Sequence, residues 1–186
     1  MGVVARPSQV VLLLEDDRHL QFIFKYLRIL DFGTHAMRVV KSPSGAGSAE
    51  QWVRKRFAVE VEARRSRQAE TKLIVIIDAD VHTVQQRILQ LDQALREGGV
   101  PKIGNDDKGH VARLVPKRNI ETWILCLNGE LVDEDRDYKR TREDWADLIQ
   151  PAAGTLFAWT RPNAAVPRSC VKSLEAGIRE LQNSGL

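Results

Sequence analysis

Residues 73–80 read LIVIIDAD and form the most hydrophobic stretch of the chain, closed by two aspartates. β-Branched residues dominate the apolar part, as is typical of a central parallel strand that is covered on both faces. The stretch therefore predicts a strand in the middle of a sheet, with Asp78 and Asp80 at its carboxyl end.

A second apolar run also ends in acids. Residues 9–17 read QVVLLLEDD, and an amphipathic helix is predicted over 18–30. Ligands of open α/β sheets bind outside the carboxyl ends of strands, so Glu15, Asp78 and Asp80 are expected to converge. Clustered carboxylates repel one another unless a hard cation such as Mg²⁺ (or Mn²⁺) joins them. The pattern predicts a metal site.

Further elements follow in alternation. Hydrophobic spacing and capping signals predict strands over 35–40, 59–63 and 110–115, and helices over 49–56, from 83 to the glycine pair at 98–99, after Asn119, and through Leu174, Ile178 and Leu181. Such alternation predicts an α/β fold with a mostly parallel sheet flanked by helices. We expect a core over residues 1–130 and a short helical C-terminal extension over 131–186.

Composition restricts the function classes only weakly. The chain has 186 residues, with 28 Lys and Arg against 25 Asp and Glu, and a net charge of +3 does not by itself establish nucleic-acid binding. Two cysteines form no closely spaced motif, and no apolar run approaches the length of a membrane span. These features predict a cytoplasmic protein that has reduced thiols and no membrane association.

The acidic pattern resembles a known family. Glu15 after the first strand and the Asp78-x-Asp80 pair after a central one look like the toprim arrangement, and the likeness covers residues 9–128. Residues 115–125, VPKRNIETWIL, are similar to a segment of small toprim proteins of bacterial defence systems, including RloB-like and overcoming-lysogenization-defect-type nucleases. By that likeness Glu121 is a fourth acid of the site. One departure is that the family's glycine after the first glutamate is absent, and that His19 stands four residues after Glu15.

The resemblance implies a toprim-like, Rossmann-like fold and a Mg²⁺-dependent nuclease of prokaryotic anti-phage defence. Glu15, Asp78 and Asp80 would hold the metal, which supplies an activated water and charge stabilisation. Residue chemistry adds His19 as a proton carrier or substrate contact, and Lys117 or Arg118 as a partner of the scissile phosphate. The basic residues expected to contact a nucleic-acid backbone are Arg54, Lys55, Arg64, Arg65 and Arg118.

Two other functions remain open from the sequence. The first is a non-catalytic toprim module that binds nucleic acid or a partner ATPase, because the chain has no nucleotide-binding motif of its own. The second is a receiver-like phosphoacceptor domain, since LLLEDD at residues 12–17 followed by a helix also resembles the start of that family. The sequence leaves the oligomeric state open.

Overall fold

The computed structural model describes residues 9–45, 47–67 and 70–186. Within them lies a four-stranded sheet in the order β2-β1-β3-β4, and every pair of neighbours is parallel. The strands are β1 (Gln9–Leu14), β2 (Met37–Lys41), β3 (Thr71–Ile76) and β4 (Val111–Leu114). The predicted α/β class and the central position of the 73–77 segment are confirmed.

Six α-helices flank the sheet in the described residues. They are α1 (Asp17–Ile29), α2 (Ala49–Arg65), α3 (Val84–Glu97), α4 (Ile120–Leu127), α5 (Ala146–Thr160) and α6 (Lys172–Ser184), and short 3₁₀ turns span Thr34–Ala36 and Asn105–Asp107. No helix among these residues is both long and apolar enough to cross a bilayer.

The sheet is the middle of three layers. Leu12 and Leu14 of β1 pack with α1, α4, α5 and α6, whereas Val11 and Leu13 pack with α2 and α3. This alternation follows from the two-residue period of a strand, and burial on both faces explains why β1 and β3 are continuous apolar runs. Segments after residue 131 also belong to this structure: Leu156 of α5 and Leu174 of α6 lie in the hydrophobic core that contains Leu12 and Leu14.

One predicted strand is wrong. Residues 59–63 belong to α2, which runs without a break from Ala49 to Arg65. Val53, Phe57 and Val61 recur every four residues and are buried against the sheet, while Val59 between them is 48% exposed. Their helical spacing outweighs the local β propensity of two valines.

Strand order decides where a ligand can bind. From β1 the chain continues to β2 on one side, and β3 lies on the other, so the order reverses between β1 and β3. Beyond the carboxyl ends of these two strands the following loops diverge and leave a crevice, which is the usual ligand position in such folds. Leu14 of β1 pairs with Ile76 of β3, so Glu15 and Asp78, which follow these strands, lie on either side of the crevice.

Candidate metal centre

Glu15 and Asp78 connect the ends of β1 and β3. A carboxylate oxygen of Glu15 accepts a hydrogen bond from the backbone N–H of Asp78, at 2.8 Å. The side chain of Asp78 is buried, with the residue 4% exposed. The predicted convergence of these two acids is therefore present in the structure.

His19 lies against the same aspartate. Asp16 caps α1 by accepting hydrogen bonds from the N–H groups of Arg18 and His19, both at 3.0 Å, and so fixes the first turn of the helix. That turn carries His19 inward, where its side chain is fully buried and Nε2 lies 3.0 Å from Oδ1 of Asp78. The structure therefore places His19, which was predicted as a proton carrier or substrate contact, in a cluster with Glu15 and Asp78.

The donor atoms fit a cation. Glu15, His19 and Asp78 each offer one ligand atom, and these atoms all lie within 4.8 Å of one another. Oδ2 of Asp78 and Oε2 of Glu121 are buried without a hydrogen bond from the described part of the chain. Buried carboxylate oxygens are normally satisfied, so acceptors left open beside other acids match the requirements of a bound ion.

Glu121 enters the site from the first turn of α4. The residue is 4% exposed, and its Oε1 lies 3.4 Å from Nε of Arg18. The guanidinium of Arg18 in turn lies over the ring of Trp145, 5.5 Å from its centroid. The helix that follows β4 in the chain thus adds a second buried acid, which interacts with the charge of Asp78.

Asp80 is placed differently from the prediction. Its carboxylate is 60% exposed and pairs with Arg118, with Nη1 3.0 Å from Oδ1, and it is not among the three clustered donors. Its backbone adopts the left-handed region at φ 56°, which turns the chain away after Asp78. The Asp78-x-Asp80 pair therefore contributes one buried acid and one at the rim of the crevice.

An arginine that the sequence analysis did not single out holds this turn. Arg87 of α3 is buried, and it donates hydrogen bonds to the carbonyl oxygens of Asp78 at 2.9 Å and Ala79 at 3.3 Å. It also pairs with Glu50 of α2. Its position on the apolar face of α3, between Val84 and Leu91, was the available sequence signal.

Lys139 is a second residue that the sequence analysis missed. Nζ lies 3.4 Å from Oδ2 of Asp78, in an ion pair. The residue lies in an irregular charged segment, so periodicity gave no signal. A cleft of about 240 Å³ is lined by Lys139, Glu15 and Asp78 together with Ser48, Glu50, Asp80, Val81, His82 and Arg87.

Burial and neighbouring charges shift the pKa values of the residues in the cluster. Burial, together with the charge of Asp78, raises the pKa of Glu15 to about 7. Burial likewise raises the pKa of Glu121. Burial opposes a charge on His19, but the Asp78 carboxylate above all outweighs it and raises the imidazole pKa to about 9. In Lys139, too, the charge of Asp78 overcomes the effect of burial and raises the pKa. The acids thus carry a cost that a cation would relieve.

The predicted basic residues do not form one group in the structure. Arg118 lies at the acidic site, and Arg54 pairs with Glu50 at 3.0 Å on the wall of the cleft. Lys117 is ion-paired with Asp135 at 2.7 Å. Lys55 lines a groove between α2 and α3. The remaining two, Arg64 and Arg65, pair with Asp107 near the amino ends of β3 and β4, so the structure does not bring them to the acids.

Comparison of the chain with protein-family models, with curated proteins and with solved structures found no match. The fold and the geometry of the site are therefore the basis of the functional proposal.

Proposed function

We propose that this protein hydrolyses phosphodiester bonds of nucleic acid with a divalent cation held at the carboxyl edge of its sheet, as toprim nucleases do. One observation carries the proposal: Glu15 and Asp78 come together at the strand-order reversal, Glu121 lies close enough to interact with the charge of Asp78, and one buried oxygen each of Asp78 and Glu121 accepts no hydrogen bond from the described residues. Acids with raised pKa values in a crevice are typical of functional sites.

The residues of this chain divide the work. Glu15 and Asp78 would hold the cation, which in such sites lowers the pKa of a bound water and stabilises charge on a leaving oxygen. Glu121 lies beside them as an acceptor for a proton or for a metal-bound water. On the rim, Arg118 and Lys139 present positive charges that would neutralise a phosphate in the cleft.

We limit the proposed nucleic-acid contact to the carboxyl ends of the strands, where Glu15 and Asp78 lie. Arg54, Lys117, Arg118 and Lys139 belong to elements that surround this end of the strands, whereas Arg64 and Arg65 pair with Asp107 at the opposite end. A backbone bound through the first group would place a phosphate next to Asp78. The role predicted for Arg64 and Arg65 stays a prediction.

Cleavage assays test the proposal. The purified protein should degrade DNA or RNA with Mg²⁺ or Mn²⁺ and should be inactive with a chelator. Asp78→Asn should lower the rate at least about 100-fold, because the ligand next to the proposed metal loses its charge. Asp106→Asn, an exposed acid near the opposite edge, is the matched control and should leave the rate unchanged. Equal rates in the two variants would remove the proposed site.

A specific observation favours a non-catalytic module as the second candidate. Asp78 and Asp80 already have cationic partners in His19 and Arg118, so part of the negative charge is neutralised without a metal. A module that binds nucleic acid or a partner ATPase would give mobility shifts or complexes that persist in chelator, with no cleavage. Such persistence together with inactive wild-type protein would favour this candidate.

Strand order gives some support to a phosphoacceptor. Acids after β1 and an aspartate after β3 are the arrangement that a receiver-like domain requires, and Lys139 is close to Asp78. Burial of Asp78 and its contact with His19 oppose attack on a small phosphodonor. Incubation with acetyl phosphate and Mg²⁺ should therefore leave Asp78 unlabelled, and labelling would favour the receiver over the nuclease.

A further inference from the structure

We propose that His19 is a direct ligand of the bound cation, so that the site prefers a first-row transition ion such as Mn²⁺ or Zn²⁺ over Mg²⁺. The inference rests on the metal site of the proposed function and adds the class of ion to it. Carboxylate and water ligands suit Mg²⁺, whereas imidazole nitrogen is a ligand of transition ions.

The spacing of the donors supports this assignment. Nε2 of His19 and Oδ1 of Asp78 are 3.0 Å apart, at the distance of a hydrogen bond, and a cation bound by both atoms would replace the proton between them. Neighbouring ligands of an octahedral ion with bonds of about 2.1 Å are roughly 3.0 Å apart, and opposite ligands roughly 4.2 Å apart. With Glu15 included, all three donors lie within 4.8 Å of one another, so only small side-chain movements would bring them onto one ion.

A second observation points to a ligand at the same place. Asp78 and Glu121 are each 4% exposed, and each has a carboxylate oxygen that is buried with no hydrogen bond from residues 9–45, 47–67 or 70–186. Lys139 approaches one of these oxygens as a half-exposed ion pair, and Arg18 approaches the other oxygen of Glu121. Oδ2 of Asp78 and Oε2 of Glu121 are therefore available as further metal ligands besides His19 and Glu15.

The other ring nitrogen has the surroundings of a metal-bound histidine. Nδ1 of His19 is buried and makes no hydrogen bond with the described residues, and Oδ1 of Asp16 lies 3.9 Å away. Histidine ligands usually donate their second N–H to a carboxylate, which orients the ring. Asp16 is held by the start of α1, so a small rotation of the imidazole toward it would complete the carboxylate–histidine–metal arrangement.

Pulsed electron paramagnetic resonance tests the assignment directly. Full-length protein is loaded with one equivalent of Mn²⁺, and nitrogen-coupled modulation from a directly bound imidazole is expected. Protein made with ¹⁵N-labelled histidine should show the corresponding change in the modulation, a readout that needs no substitution. His19→Gln should lose the coupling, and His82→Gln, which alters another histidine of the same cleft, should keep it.

Metal titrations measure the selectivity. Mn²⁺ should bind the wild type at least about 10-fold more tightly than Mg²⁺, and His19→Gln should weaken Mn²⁺ binding by about 10- to 100-fold with a much smaller effect on Mg²⁺. Circular dichroism checks that the variant is folded. Equal affinities of the wild type for the two ions would contradict the inference.

The outcomes separate this inference from the proposed function. Bound Mn²⁺ without nitrogen coupling, in a protein that still cleaves nucleic acid, overturns the role of His19 and leaves the nuclease intact. Nitrogen coupling that depends on His19 in a protein without cleavage supports the ligand assignment and counts against the nuclease. Absence of Mn²⁺ binding at millimolar concentration overturns both.

Discussion

Two buried aspartates lie at opposite ends of the strands, Asp78 at the carboxyl ends and Asp107 at the amino ends, and their surroundings differ. Asp107, which is 2% exposed, accepts hydrogen bonds from Arg64, from Arg65 and from the backbone N–H of Gly104, so both of its oxygens are satisfied. Asp78 is 4% exposed, yet one of its oxygens accepts no hydrogen bond from the described residues, and Glu15 and Glu121 lie close by.

The difference shows which acids stabilise the fold. Burial alone would raise the pKa of Asp107, but Arg65 in particular, with Gly104 and Arg64, lowers it to about 2. At the other edge burial prevails, and the pKa values of Glu15 and Glu121 are raised. A buried charge stabilises only when it is paired, so Asp107 with its two arginines supports folding, whereas Glu15 and Glu121 beside Asp78 are retained at a cost. Such a cost is expected where residues serve a ligand.

The largest effect on stability is expected from breaking the Asp107 cluster. Asp107→Ala leaves two arginines without their buried partner and should lower the free energy of unfolding at pH 7 by about 3 kcal/mol. Asp106→Ala, the exposed neighbour, should change it by less than about 0.5 kcal/mol. Urea denaturation measures both, and similar values for the two variants would contradict the comparison.

A pH effect of about 2 kcal/mol is expected from His19. The pKa of its imidazole rises from 6.5 to about 9 on folding, so its stabilising contribution is complete below pH 6.5 and is lost as the pH rises through 9. With chelator present, wild-type stability should fall over this window, and His19→Gln should remove most of that fall. His35→Gln, at an exposed histidine, should retain the wild-type pH dependence. Parallel curves for wild type and His19→Gln would show that the His19–Asp78 ion pair contributes nothing to stability.

The sequence was sufficient where the signal is local. The apolar runs that became β1 and β3, and the acids directly after them, could be recognised because strand burial and strand ends depend on neighbouring residues. Ser48 is of a residue type that favours the N-cap, and it caps α2 by accepting the N–H of Gln51. A parallel sheet then brings Glu15 and Asp78 to one edge without further information.

Contacts between distant segments could not be predicted in the same way. Lys139 meets Asp78 across 61 positions in an irregular stretch, and Asp107 meets Arg64 and Arg65 across more than 40. The exposure of Asp80 depends on one backbone angle, φ 56°, that its residue type does not specify. A buried charge needs a partner, but the sequence does not show which distant residue the fold will bring next to it.

Glu15→Gln should stabilise the protein, in contrast to Asp107→Ala. The pKa of Glu15 is raised from 4.5 to about 7, so the native state binds more protons between these values and its stability falls as the pH rises through them. A neutral amide avoids that loss and retains an oxygen for the N–H of Asp78. In chelator we expect a gain of about 1–2 kcal/mol at pH 8 and almost none at pH 4.5, measured by urea denaturation.

The control for this gain is Glu143→Gln, at an exposed glutamate, which should be neutral at both pH values. In Mn²⁺ the order should reverse, because wild type gains stability from the bound ion and Glu15→Gln gains less. A variant that is destabilised at pH 8 in chelator would contradict the idea that the charge of Glu15 opposes folding.

The smallest effect is expected at Lys139, whose side chain is 48% exposed. Lys139→Met removes the cation next to Asp78 and should cost about 0.5 kcal/mol in chelator at low salt, since solvent screens a half-exposed pair. Because screening grows with ionic strength, the difference from wild type should shrink in 0.5 M NaCl, whereas the loss in Asp107→Ala should persist. Arg140→Met, at the next and exposed position, is the control for a general loss of positive charge. Urea denaturation at the two salt concentrations measures all three variants. A Lys139 effect as large and as salt-independent as that of Asp107 would mean that the Asp78 cluster is as fully neutralised as the Asp107 cluster, and that it has no need of a cation.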